Sequence, residues 1–330
     1  MIGLKRMAGG HSPQSFGAAS RHGACDHAWR DRGFVIRRRK APSAAAIGKP
    51  LSRVGALALL AIAAPAAAQL DPPAWTRPIP PVPLIGPITY VGTEGLAAYL
   101  IRTDAGAILI DATMEQNVPA IERNIVASGV PLRQVKLILV SHAHFDHAAG
   151  LAAMKRATGA KVVAGIRDAA ALESGIPPGE VSYGVIRFPA VTVDRRVRDR
   201  DRVRLGNVTL RAVATPGHTP GCTTWTMQVA DRGRRRDVVF PCSVTVAGNR
   251  LIGNRRYPGI VADFRASFAR LAALKADVVL PAHPEGADVF ARARSGTLVA
   301  PGLLRTMVVK ARDDFDRELA KQTRAARPAP

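Results

Sequence analysis

Residues 135–165 read VKLILVSHAHFDHAAGLAAMKRATGAKVVAG, and this stretch constrains the fold more than any other in the chain. An apolar run, a turn crowded with His142, His144, Asp146 and His147, a segment with helical spacing and a second apolar run make a strand-helix-strand unit. Two strands joined through a helix lie parallel. A parallel sheet needs cover on both faces, so the chain is committed to layers of sheet and helix.

The same style continues on either side. Upstream, ITYVG, LAAYLIRT and AILIDAT are expected strands, and EQNVPAIERNIVASG is an expected helix ending at Gly129. RDAAALESG is another helix. Downstream, RVRLGNVTLRAVATPGH reads as a hairpin, and CTTWTMQVA with RDVVFPCSVTV as a second one turning at DRGR. VADFRASFARLAALKA has a helix's apolar stripe, DVVLPAH is an expected buried strand, and the segment after Pro301 is helical and basic. The proline-rich residues 69–87 read as an extended arm. The pattern predicts an α/β layered sandwich forming one domain over 69–330.

Residues 1–53 carry eleven Lys and Arg against two acids, followed by VGALALLAIAAPAAA from Val54 to Ala68. A basic region, a short apolar run and an A-x-A ending predict a secretory signal with a long basic N-terminal extension over 1–68, cleaved after Ala68 or disordered. The apolar run is short against the roughly 20 residues a membrane span needs. The expected location is the periplasm, with no stable membrane association after cleavage. Loss of the leader would leave about +13 of the chain's +22 net charge. Such a balance fits nucleic acid, acidic membranes or anionic ligands. The arginines of 195–204 and 234–236, however, are scattered, with few aromatics among them and no nucleic-acid motif. A solvated basic surface and no nucleic-acid partner are expected.

Of eight histidines, His11, His22 and His27 precede residue 69, leaving His142, His144, His147, His218 and His283. His218, in ATPGHTPG, and His283, in VLPAH, also follow expected strands. The C-terminal ends of strands are where α/β proteins build their sites. Imidazoles with a carboxylate suit zinc, and a set that leaves positions open suits catalysis.

SHAHFDH, TPGHTPG and LPAH, in this order and at these separations, resemble the metallo-β-lactamase superfamily, an αββα sandwich of two mixed β-sheets flanked by helices. The resemblance covers nearly all of 69–330 and implies a metal-dependent hydrolase. Its members act on thioesters, lactones, phosphodiesters and β-lactams, so fold alone does not choose among them. In the glyoxalase and lactonase branches an aspartate downstream of the third histidine motif bridges the metals. Here VVFPCSVTVAGN (238–249) contains none, and Asp231 and Asp237 fall at the hairpin turn or its shoulder.

YVGTEGLAAYLI, TPGHTPGCTTWTM and YPGIVADF are in turn similar to subclass B3 of the class B β-lactamases. That similarity implies two zinc ions, one held by His142, His144 and His218, the other by Asp146, His147 and His283. Asp146 would also act in catalysis by orienting a zinc-bound hydroxide. Ser243, where other subclasses place a cysteine, and Thr245 would bind the substrate carboxylate, with Arg255 or Arg256 adding charge. The implied function is opening of the β-lactam ring of penicillins, cephalosporins and carbapenems by a monomer with a small-molecule partner. The alternative is an exported metallo-hydrolase of a lactone, thioester or phosphodiester.

Two further expectations concern local chemistry. If the hairpin turns near Arg232, Cys222 and Cys242 face each other on adjacent strands and form a disulfide, which an exported protein can keep. Otherwise Cys242, beside the ligand position, is a thiolate ligand. Where the family often has Asp-Gly-Gly, this chain has Asp111-Ala112-Thr113, and Asp111 is expected to support the site rather than to react. The loop 174–189 and the proline arm are the expected walls.

Overall fold

The computed structural model describes residues 71–327; the expected signal over 1–68 lies outside them. The first sheet opens with an antiparallel meander of β1 (Val82–Ile85), β2 (Ile88–Tyr90), β3 (Tyr99–Thr103) and β4 (Gly106–Ile110). Helix α1 (Val118–Ala127) then leads to the parallel strand β5 (Val135–Leu139). Helices α2 (Phe145–Ala148) and α3 (Leu151–Thr158) lead to β6 (Lys161–Gly165), and α4 (Ala169–Ser174) to the edge strand β7 (Arg195–Val197).

The second sheet is a meander of β8 (Arg202–Leu205), β9 (Val208–Ala214), β10 (Thr223–Asp231) and β11 (Arg234–Phe240), completed by the short parallel strand β12 (Val278–Val279). Helix α5 (Ile260–Ala272) precedes β12, and α6 (Val289–Ser295) and α7 (Leu303–Ala325) follow it. The β10–β11 turn falls at Arg232-Gly233, both with positive φ, as a two-residue hairpin with right-handed strand twist demands.

Strand periodicity of two sorts the apolar residues into layers. Leu100, Ala107 and Leu109 face α1 and α3, with Val118, Ile121 and Ile125 on the helix side. Their neighbours Tyr99, Ile101, Ile108 and Ile110 face the second sheet, where Leu210, Trp225, Met227 and Phe240 meet them. Outside that sheet, Phe264, Phe268 and Phe315 of α5 and α7 cover Val239 and Val279. This is an αββα sandwich of two mixed sheets. Each fully buried side chain of this kind contributes about 1.5–3 kcal/mol. The Trp225 indole also donates to the Val140 carbonyl at 3.1 Å, so its polar atom is not left unmet.

Several elements differ from expectation. The strand expected through Val246 ends at Phe240, because Pro241 has no N–H for a ladder. The helix expected from His147 is broken before Leu151, and Gly150 stands at the break, where a Cβ would lie 2.2 Å from the Ala112 carbonyl oxygen. The strand expected to reach His283 stops at Val279, and the proline arm contributes β1. No described helix is long and apolar enough to cross a membrane.

Candidate metal centre

Three loops meet at one edge of the sandwich. The loop after β5 carries His142 and His144 and runs into α2 with Asp146 and His147; the loop between β9 and β10 carries His218; the segment after β12 carries His283. The first four of these side chains and His218 are buried, and His283 is partly so.

The Nε2 atom of His218 lies 3.2 Å from His142 Nε2 and 2.9 Å from His144 Nδ1. Asp146 Oδ2 lies 3.1 Å from His147 Nε2 and 3.3 Å from His283 Nε2, and these two nitrogens are 3.2 Å apart. Ligand atoms of His142, Asp146 and His147 also fall within 4.8 Å of one another, so the two triads adjoin. Donors 2.0–2.1 Å from a tetrahedral zinc stand about 3.3 Å apart, close to the 2.9–3.3 Å separations of these atoms.

Protonation in the first triad favours the same chemistry. Burial, with neighbouring imidazoles adding to it, pushes His142 and His218 well below the ordinary histidine range. It pushes His144 down to about 4. The first triad is therefore neutral near pH 7, as a metal ligand must be. Burial would raise Asp146, but the charge of His147 and hydrogen bonds from His147 and His283 outweigh it and hold the carboxyl well below its usual range. Burial would likewise lower His147; Asp146 reverses that and raises it.

Two of the rings, those of His218 and His142, are anchored from behind. Thr245 presents its carbonyl 2.8 Å from His218 Nδ1. His142 Nδ1 lies 2.9 Å from Ser141 Oγ, which donates to Asp111 Oδ2 at 2.6 Å; the Ser141 amide donates to Asp111 Oδ1 at 2.7 Å. Acceptors behind Nδ1 fix the tautomer that turns a free Nε2 lone pair inward. Asp111 thus supports the site, as expected. Both Asp111 and Thr113 have left-handed φ, 60° and 55°, a conformation costly for a β-branched residue. The Gly150 amide on the Thr113 carbonyl, and Asn117 on the Thr113 hydroxyl, hold the loop there.

One supporting residue escaped the sequence reading. Asp168, buried at the start of α4, accepts hydrogen bonds from the Ala143 amide, the Thr219 hydroxyl and the Gly221 amide. Burial raises its carboxyl to about 6 against the pull of those bonds. The available signal was an acid just after β6, at the same sheet edge as the histidines.

The centre opens into a cleft of about 740 Å³. Trp75 of the proline arm and Tyr183 and Ile186 of the 174–189 loop line it, as expected of these walls; Ser243 and Thr245 line it too, and Leu304 and Met307 of α7 were not foreseen. Trp75 packs on Phe145 and on His283, ring centroids 6.2 and 5.5 Å apart. The Ser243 and Thr245 hydroxyls are 3.1 Å apart. Arg255 and Arg256 do not line the cleft: their contacts go to Glu180 and to the Pro177 carbonyl.

Cys222 and Cys242 form a disulfide with a Cα separation of 5.8 Å. The alternative of a Cys242 thiolate ligand is thereby set aside.

The Metallo-beta-lactamase superfamily profile matches residues 92–283. The chain is 47% identical to BJP-1, a subclass B3 metallo-β-lactamase of Bradyrhizobium japonicum, over 77% of this chain and 99% of that one, with a TM-score of 0.75. It is 35% identical to the FEZ-1 metallo-β-lactamase of Legionella gormanii over 75% and 98% of the two chains, with a TM-score of 0.70. Among curated proteins, a hydroxyacylglutathione hydrolase of Cereibacter sphaeroides is 30% identical over 158 residues, covering 47% of this chain and 50% of that protein. Matches of this kind span between a quarter and three-fifths of the relatives' length. A profile match over more than half the chain, a structural likeness covering 77% of it and two histidine-rich triads at one sheet edge agree: the chain belongs to the metallo-β-lactamase superfamily, and its structural neighbours are subclass B3 enzymes.

Proposed function

We propose that this protein is a zinc-dependent hydrolase that opens the β-lactam ring of penicillins, cephalosporins and carbapenems, using two zinc ions. The observation that carries the reading is the segment after β11. Beside two complete triads it offers the cleft Ser243 and Thr245, and none of its residues 241–247 is an acid. A carboxylate bridging the metals from this segment, the mark of the glyoxalase branch, is missing.

Zinc supplies Lewis acidity and makes water acidic enough to ionise near neutral pH. His142, His144 and His218 would hold one ion and Asp146, His147 and His283 the other. Asp146 would also accept a hydrogen bond from the attacking water, orienting it towards the lactam carbonyl. The Ser243 and Thr245 hydroxyls, at one side of the cleft, would donate to the substrate carboxylate. Trp75, Phe145, Ile186 and Met307 supply apolar walls that displace water from around the ring.

A second reading, hydrolysis of a glutathione thioester, is favoured by the curated relatives, which bear the name hydroxyacylglutathione hydrolase. Parallel assays of zinc-loaded protein on a chromogenic cephalosporin, a carbapenem and a hydroxyacyl-glutathione thioester decide between them. Turnover of the lactams well above the thioester supports the β-lactamase; the reverse order, or turnover of neither lactam, overturns it.

The reading also takes the protein to be a monomer exported to the periplasm, with domain 69–330 released from 1–68. The basic and apolar run ahead of Ala68 supports export. A periplasmic product beginning at Gln69 by mass spectrometry is the expected result; a cytoplasmic product retaining the leader contradicts it.

A further inference from the structure

We propose that Asp168 is a positioning residue that assembles the first triad by tying the loop of His142 and His144 to the loop of His218. This rests on the reading of the triads as zinc sites. The carboxylate makes no hydrogen bond to a proposed metal ligand and does not line the cleft. Its Oδ2 accepts from the Ala143 amide at 3.0 Å and from the Thr219 hydroxyl at 2.6 Å, and its Oδ1 accepts from the Gly221 amide at 2.6 Å. Ala143 lies between His142 and His144, and Thr219 follows His218 directly. One rigid carboxylate therefore sets the distance between the two loops whose ring nitrogens must converge.

Two further observations single the residue out. An aspartate at the start of a helix ordinarily turns its side chain to that helix's own free amides. Asp168 occupies that place on α4 and makes no such bond; the contacts it makes all go to the histidine loops. The opposing loop is shaped to receive it: a Cβ on Gly221 would come within 2.3–2.6 Å of Asp168 atoms, so only glycine lets the carboxylate approach the 221 amide. The carboxylate has no hydrogen bond to Asp146, His147 or His283, so its influence falls on the first triad.

The test is metal affinity of each triad, read by chelator competition with zinc and by the cobalt absorption spectrum. His283→Ala leaves the first triad complete, and His218→Ala leaves the second. In the His283→Ala background, Asp168→Ala should weaken binding by about ten-fold, the lower end of the effect of losing a group hydrogen-bonded directly to a ligand, and change the cobalt spectrum. Thr219→Val, which removes one of three bonds, should give a smaller loss in the same direction, and Asp168→Asn should recover part of it. In the His218→Ala background the same substitutions should leave affinity unchanged. Thr219→Val and Asp168→Asn carry the test if Asp168→Ala does not fold. Unchanged first-triad affinity and spectrum, or equal losses at both triads, would overturn the positioning role while leaving the zinc reading intact. Failure of unaltered protein to take up zinc or cobalt would overturn the zinc reading itself, and this role with it.

Discussion

The Thr245 carbonyl lies 2.8 Å from His218 Nδ1, so the segment proposed to hold the substrate also fixes a ligand of the first triad. A carbonyl only accepts; Nδ1 therefore carries the proton and Nε2 faces His142 and His144. Because backbone and side chain of Thr245 do different work, they can be separated. Thr245→Ala with Ser243→Ala keeps the carbonyl but removes both hydroxyls. Zinc content should stay at the unaltered level, while kcat/KM for a cephalosporin falls about ten-fold or more for each hydroxyl lost, a hydrogen bond to a charged group being worth about 1.5–3 kcal/mol, mostly through KM. Loss of zinc in this variant would show that the hydroxyls, not the carbonyl, serve the metal.

The Cys222–Cys242 disulfide closes the base of the β10–β11 hairpin across a separation of 20 residues. A loop of that size contributes about 3 kcal/mol by restricting the unfolded chain. Replacing both cysteines by serine should lower Tm by roughly 6–10 °C. Protein beginning at Gln69 should take up no alkylating label until it is reduced, and two labels afterwards. Labelling without reductant would contradict the pairing.

Asp237 offers a pH dependence remote from the site. A hydrogen bond from Gln228 at 2.8 Å, and the Lys275 ammonium at 3.1 Å, hold its carboxyl below the ordinary range against partial burial. A depressed folded pKa means that this stabilisation is complete above the unfolded value and is lost as pH falls through the folded one. Asp237→Asn should thus lower Tm at pH 6, and the gap to the unaltered protein should close on acidification towards pH 3. Its partner Lys275 is exposed, so the gap should also shrink with added salt. A gap that is constant with pH would assign the loss to something other than charge.

The histidines of the candidate centre were readable because each is a rare residue type following an apolar run, and because SHAHFDH packs three of them with Asp146 into one turn. The layers were readable because strand and helix periods alternate so regularly from Ile88 onward. Asp168 was hidden by its locality: an aspartate before a helix reads as a cap, and only tertiary structure shows its carboxylate turned to Ala143 and Gly221. Edge strand β7 carries Arg195 and Arg196, which give no apolar pattern; its pairing with β6 supplies the strand. The contribution of Leu304 and Met307 to the cleft depends on where α7 packs, and no local signal encodes that.

Zinc-dependent lactam hydrolysis is tested most directly by turnover of a chromogenic cephalosporin by purified protein as zinc is removed with a chelator and restored. Activity should vanish with zinc, return on re-addition up to two equivalents per chain, and be lost in His218→Ala and Asp146→Ala. Protein holding two equivalents of zinc that hydrolyses neither this cephalosporin nor a carbapenem would contradict it.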